Sequence, residues 1–307
     1  MRPAVHDLAV IVVSTDQAHW LRRCLATLYE HSGEITLDVV VVDNGTTRAS
    51  ADLVGSEFPS ARALVCENDG FAHANNAAIR TVDARWVLFL NPDTEVLDGT
   101  LSGLLSELER RREVGLAGCR QVDANGAIQP TMRRFPTVPR ALGDALGLER
   151  LAWAPSWLGE RERRLDRYDS EFEGDWTIGS FMLARSEALD AVGGFDERFF
   201  VYSEEVDLCL RIRRAGWSIV HMPTLTILHH GSTVRSLDAR MAQQNAYAQL
   251  QYARKHFSAP ARAAYRGALL LRYALRSAPL VVDRPRRRAA CAAASLVLGR
   301  ATPPFRR

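Results

Sequence analysis

Two runs of β-branched and apolar residues constrain this chain most: Leu8–Ser14, and Leu37–Val42 with valine at each of positions 39 to 42. A strand that is apolar on both sides has to be covered on both faces. That happens in a largely parallel sheet with helical crossovers. Between the runs, Trp20, Leu21, Cys24, Leu25 and Leu28 recur at helical spacing and supply one crossover. Ala63–Cys66 and Trp86–Leu90 read as two further buried strands, with a helix over about Phe71–Val82 between them. The expectation is an α/β fold, a mainly parallel central sheet flanked by helices. Each later strand run ends in a polar cluster: Asp43-Asn44-Gly45, Glu67-Asn68-Asp69-Gly70 and Asn91-Pro92-Asp93. In such sheets ligands bind beyond the carboxyl ends of the strands.

The second half is less regular. Met132–Asp175 is rich in Pro, Arg and Trp without a period, and reads as a long, partly helical excursion near an acceptor side. Strand character returns at Phe181–Ala184, a helix follows Ser203 to about Ala215, and Ser218–His221 and Thr226–Leu228 read as short strands. From Asp238 to about Leu298 the chain reads as helices. The domain expectation is residues 1–237, with halves at about 1–120 and 121–237, followed by a helical extension over 238–307.

Composition narrows the classes. A net charge of +3 is too small for a nucleic-acid surface, and no nucleic-acid motif occurs. Cys24, Cys66, Cys119, Cys209 and Cys291 are odd in number and scattered, which fits a reducing cytoplasm better than a disulfide framework. No signal-peptide core follows Met1, and no apolar run reaches the roughly 20 residues that span a bilayer. Leu269–Val282 is broken by Arg272 and Arg276. Basic residues crowd the C-terminal third, including Arg284, Arg286, Arg287, Arg288, Arg306 and Arg307. Arg262, Arg266, Arg272 and Arg276 among apolar residues suit a tail resting on anionic lipid; packing or a homo-oligomer contact is the bland use of the same helices.

Several residues carry chemistry. Asp43, placed outside the sheet, can accept the imino N–H of uracil or thymine; the bland reading is a turn. Asn91 and Asp93, two apart, project to one side of extended chain and suit Mg²⁺ or Mn²⁺, which takes further oxygens from phosphate. Gly70 allows close backbone approach at a helix start that attracts phosphate. Asn75-Asn76 inside a helix is locally unfavourable and points to a polar task. Ser203-Glu204-Glu205-Val206-Asp207 is either good capping, with Ser203 as the cap, or a general base raised in pKa by its apolar neighbours. His229-His230 offers an imidazole to metal or phosphate.

Taken in order, these blocks resemble the family 2 glycosyltransferases of the GT-A (Rossmann-like) fold. The resemblance extends through Asp175-Trp176, Gly179-Ser180-Phe181-Met182, Gly193-Gly194-Phe195-Asp196, Tyr202-Ser203-Glu204-Glu205-Val206-Asp207 and His229-His230-Gly231-Ser232. It covers about residues 8–257 and is strongest with the bacterial rhamnosyltransferase branch. It implies an inverting, metal-dependent enzyme. The donor site would be built by Ser14, Asp43, Asn68, Gly70, Asn75, Asn91, Asp93 and Gly179. Asp93, Asn91 and His229 would hold Mn²⁺ or Mg²⁺. Glu205 would be the base, with Glu204 and Asp207 as rivals. The family more often has aspartate at the positions of Asn91 and Glu205, and a Tyr-Asn sequence where this chain has Ser14-Thr15-Asp16. The implied reaction moves L-rhamnose from dTDP-rhamnose, or another sugar from a UDP-sugar, to a hydroxyl on a polyprenyl-diphosphate-linked glycan. The implied location is the inner face of the plasma membrane. A nucleotide-sugar-binding protein without turnover and a two-carboxylate hydrolase are the rival classes.

Overall fold

The computed structural model describes residues 5–148, 151, 155–231, 238–278 and 283–305. Arg306, Arg307 and Ser232 lie outside that range. The chain divides into two compact units. The first comprises Met1–Arg133, Arg163–Asp196 and Glu205–Gly231; the second comprises Arg134–Glu162, Glu197–Glu204 and Ser232–Arg307.

The first unit begins β1 (His6–Ser14), α1 (Ala18–Glu30), β2 (Leu37–Asp43), α2 (Ala49–Glu57), β3 (Ala61–Val65), α3 (Phe71–Ile79) and β4 (Ala84–Leu90). It continues with β5 (Thr94–Asp98), α4 (Leu101–Glu109), β6 (Val114–Val122) and the two-residue β7 (Met132–Arg133). In the second unit lies α5 (Val138–Ala145). The first unit then resumes with β8 (Phe172–Glu173), β9 (Trp176–Thr177), β10 (Phe181–Arg185), α6 (Ser186–Val192), α7 (Glu204–Arg214) and β11 (Ser218–His229).

The main sheet has the order β3-β2-β1-β4-β10-β6-β11-β5, with β8 beside β11. Strands β3, β2, β1 and β4 are parallel. Strand β10 runs against β4 and β6, while β11 is parallel to β6 and antiparallel to β5. The carboxyl ends of β1, β2, β3, β4, β6 and β11 therefore all point one way. Leu8, Val10, Val12, Val39, Val41, Trp86 and Leu88 are buried with Leu21, Leu25 and Leu28 of α1 and Leu101, Leu104 and Leu108 of α4. Each fully buried side chain of this size stabilises by about 1.5–3 kcal/mol.

Three sequence expectations change. Ala63–Cys66 is not a buried central strand: β3 is the sheet edge, and Ala63 and Val65 are exposed. Ser218–His221 and Thr226–Leu228 are one strand, β11, interrupted by an irregularity between Met222 and Thr226 where Pro223 cannot donate to the ladder. Strand β6, central in the sheet, was not anticipated.

The second unit packs α5 with α8 (Ala239–His256), α9 (Ala259–Arg276) and α10 (Arg284–Val297). Its core joins Ala246 and Ala253 of α8, Tyr265, Leu269 and Tyr273 of α9, and Ala290, Ala293 and Leu296 of α10. Helix α5 starts where Thr137 accepts the Arg140 N–H, with proline in the first turn. Arg272 and Arg276 do not form a lipid-facing stripe. Both pair with Asp144 of α5, at 2.9 and 2.8 Å, and Arg272 also donates to Gln249 and Tyr273. Arg262 and Arg266 are exposed. Among the described residues no helix is long and apolar enough to cross a membrane.

Candidate active site

The strand order brings the predicted strand-tip residues to one edge of the first unit. Strand β1 separates β2 from β4, so their tips lie about 10 Å apart. Gly179 and Ser180 precede β10 on the same edge, and Asn91 N donates to Ser180 O at 3.0 Å. Ser180 in turn donates its hydroxyl to Gln121 Oε1 at 2.7 Å, locking the start of β10 to the end of β6. A Cβ built on Gly179 would meet nothing within 4 Å, so the room beside that turn is open.

Asp93 and His229 meet across the sheet. Strand β11 pairs β5 with His229 opposite Thr94, and His230 N donates to Asp93 O at 3.0 Å. This leaves His229 Nε2 at 3.5 Å from Asp93 Oδ1, both side chains about 15% exposed. Gln129 fixes the imidazole. Its Nε2 donates to His229 O at 3.0 Å, which turns its Oε1 to His229 Nδ1 at 3.3 Å. The amide oxygen accepts from Nδ1, which leaves Nε2 as the ring atom turned to Asp93. An imidazole nitrogen and a carboxylate oxygen so placed can share a divalent cation. Asn91 is half-buried at the start of the same turn. Among the described residues no three His, Cys, Asp or Glu side chains gather to hold a metal alone. An imidazole, a carboxylate and an amide oxygen suit Mn²⁺ or Mg²⁺ that arrives with diphosphate oxygens.

The adjacent histidine has another partner. His230 Nε2 lies 2.6 Å from Glu95 Oε1, Glu95 Oε2 lies 3.0 Å from Arg23, and the Trp20 ring packs tilted against His230 at 4.1 Å. Of the two adjacent imidazoles, it is His229, the one the family resemblance implied, that faces Asp93.

Asp43 is 2% exposed, so its charge is not held outside the sheet as the sequence suggested. Its Oδ1 accepts from Gly45 N at 3.1 Å and its Oδ2 from Ala51 N at 2.9 Å, which ties the strand tip to α2. Two of about four carboxylate lone pairs are then in use. Ser14 is fully buried and its hydroxyl meets Ser50 at 2.8 Å, a strand-to-helix tie. Asn68 is exposed. Gly70 heads α3 at φ 99°, ψ 166°, a conformation closed to side chains.

The two asparagines of α3 divide their work. Asn76 donates to Phe195 O and accepts from Phe195 N, both at 2.9 Å. Gly194 fits because a Cβ there would meet Asn76 Oδ1 at 2.7 Å. Phe195 then packs edge-on against Phe89 and Phe71. Asn75 is 1% exposed; its Nδ2 donates to Phe71 O, and its Oδ1 is buried without a hydrogen-bond partner.

Helix α7 carries the acidic cluster. Tyr202 and Ser203 stand before it at φ 72° and 65°, consecutive left-handed residues that store strain at its entry. Glu204 is 5% exposed and groups with the second unit. Asp207 is fully buried and accepts from Arg211 Nε at 2.7 Å, while Arg211 donates to Val192 O and Gly194 O. Asp207 thus holds Arg211 against the α6 carboxyl end. Glu205 is half-buried, and its Oε2 is enclosed without a hydrogen-bond partner. Burial raises its carboxyl above the usual range, against backbone hydrogen bonds and the charge of Arg133. Arg133 lies over the Trp176 ring at 5.2 Å. Neither Gln129 nor Arg133 is named by the sequence reading: Gln129 lies in irregular chain and Arg133 in the two-residue β7, too short to show a period.

A sheet switching direction at β10, with acids and an imidazole at its carboxyl edge, defines a glycosyltransferase of the GT-A fold class. The chain belongs to the family described as glycosyltransferase like family 2, whose model matches residues 6–248. It is 32% identical over 285 residues to the N-acetylglucosaminyl-diphospho-decaprenol L-rhamnosyltransferase of Mycobacterium tuberculosis, covering 86% of this chain and 91% of that protein. The rhamnosyltransferase WbbL of Escherichia coli K12 is 29% identical over 52% of this chain and 61% of its own length. The mannosyltransferase PcManGT of Pyrobaculum calidifontis, solved with GDP-Man and Mn²⁺, shares the fold at TM-score 0.54 and 19% identity, over 95% of this chain and 81% of that one.

Proposed function

We propose that this glycosyltransferase moves L-rhamnose from dTDP-rhamnose to a hydroxyl of a polyprenyl-diphosphate-linked N-acetylglucosamine, with inversion, at the inner face of the plasma membrane. The donor and acceptor follow the name of the mycobacterial relative. The observation that carries the chemistry is the approach of His229 Nε2 to Asp93 Oδ1 at 3.5 Å. His229, Asp93 and Asn91 would hold a divalent cation there, which would supply neutralisation of charge on the departing diphosphate. Glu205 takes the proton of the attacking hydroxyl as the oxygen bonds to the anomeric carbon and the bond to phosphate breaks. Its enclosed oxygen and raised pKa support this role over Asp207. Gly70 and the open space at Gly179 suit the donor phosphates and sugar, and Asp43 retains lone pairs for a pyrimidine N–H.

Incubating the purified protein with lipid-linked N-acetylglucosamine, Mn²⁺ and either dTDP-rhamnose or UDP-sugars tests this. Rhamnosyl transfer that stops on chelation is the expected result. Transfer from UDP-sugars alone reassigns the donor, and donor binding without transfer or hydrolysis makes this a binding protein.

A further inference from the structure

Several buried or half-buried arginines are neutralised locally, among them Arg134 by Glu162, Arg211 by Asp207 and Arg272 by Asp144. Four others gather around one groove without a carboxylate partner among the described residues. In the second unit, α8 packs along α10, and Gln243 Nε2 of α8 donates to Ala292 O at 3.4 Å. Between their first turns opens a groove of about 910 Å³ lined by Arg240, Arg284, Arg287, Arg288, Asp238 and Cys291. Asp238 is already engaged, accepting the Arg240 N–H at 2.7 Å as the cap of α8. Arg240 leans over Phe305 at 5.3 Å. Among the described residues none of the four guanidinium groups forms an ion pair.

Four like charges around one concavity repel each other unless an anion joins them. Helix α10 could bury alanine and leucine with neutral residues at these positions, so helix packing does not require the charges. A guanidinium presents paired N–H donors that match phosphate oxygens, and several around one groove suit a dianion better than a single carboxylate. We infer that this groove binds a phosphate-bearing anion, a phosphomonoester or diphosphate such as a lipid headgroup carries. The inference does not rest on the transferase reading.

Cys291 supplies the reporter, being an exposed thiol in the groove wall. Its rate of alkylation is measured by mass spectrometry without metal or nucleotide, with inorganic pyrophosphate as probe. A second arm measures sedimentation with phosphatidylcholine vesicles, with and without phosphatidic acid. Wild-type protein is expected to lose alkylation rate at least about fivefold under millimolar pyrophosphate. The R284Q/R287Q/R288Q variant is expected to lose that protection while keeping its melting temperature. Its Lys counterpart should retain part of the protection, since charge persists without the paired donors. Added partitioning of about tenfold or more onto phosphatidic acid vesicles, lost in the Gln variant, identifies the source as a lipid headgroup. Protection without vesicle binding identifies a soluble phosphate. Absence of protection in the wild type overturns the proposal, as does equal protection in the Gln variant. A fall in melting temperature of the Gln variant, matched by the wild type losing no protection in high salt, overturns it too, because the arginines would then act in packing.

Discussion

At the scale of single residues, Glu205 and Gln129 make the sharpest tests. A carboxyl raised in the folded chain binds protons there more tightly than in the unfolded chain. The fold is therefore favoured at low pH and loses stability as pH rises through the raised value. E205Q should remove that cost at neutral pH and raise the melting temperature by calorimetry, while turnover falls about 10²–10⁴-fold and donor affinity stays. A lowered melting temperature with retained turnover would assign Glu205 to packing. The wild-type kcat/KM profile should lose activity on its acid side above the ordinary glutamate range. Gln129 acts through His229: Q129A should weaken Mn²⁺ activation about 10–100-fold, read by metal titration of transfer. Unchanged metal dependence would leave Gln129 a loop tie.

Among the elements, the clamp from α3 to the Gly194-Phe195 turn stands out. N76A removes two buried hydrogen bonds to Phe195 and should cost about 2–3 kcal/mol in urea unfolding. A loss under 0.5 kcal/mol would show water replacing the amide. The sequence shows why some elements were legible and others not. The β-branched runs of β1, β2 and β4 leave no alternative to a covered parallel sheet. Strand β6, Val-Gly-Leu-Ala-Gly-Cys-Arg-Gln-Val, hides behind glycine and alanine; Gly118 is there because Thr177 packs against it, a tertiary reason that no local pattern carries. Helix α5 did announce itself through Thr137 and Pro139, a cap signal outweighed by the arginine-rich composition around it. At the site, the spacing of Asn91 and Asp93 pointed to metal chemistry, but which histidine would join them depended on the register of β11 against β5.

On the scale of the whole molecule, stability should follow acid titration through His221. This imidazole is fully buried against Tyr168 and Phe172, its Nε2 3.1 Å from Tyr168 O, and burial lowers its pKa to about 4. The unfolded chain then binds the proton first, so stability is whole above about 6.5 and drains as pH falls toward 4. The loss is on the order of 3 kcal/mol, opposed by the gain from Glu205. H221F should flatten the melting curve over that window; an unaltered slope would place the acid sensitivity elsewhere.

His229 closes β11 and His230 follows it in extended chain beside Asp93. Neighbouring side chains on a strand leave by opposite sides, so His229 reaches Asp93 only because His230 reaches Glu95. The two imidazoles share one phase, set upstream by the register shift between Thr226 and Ile227 and the irregular stretch around Pro223. Dropping or adding one residue there would exchange them: a histidine bound to Glu95 and Trp20 would rotate to the donor edge, and the one tuned by Gln129 would turn inward. That short kink acts as the reading frame of the site.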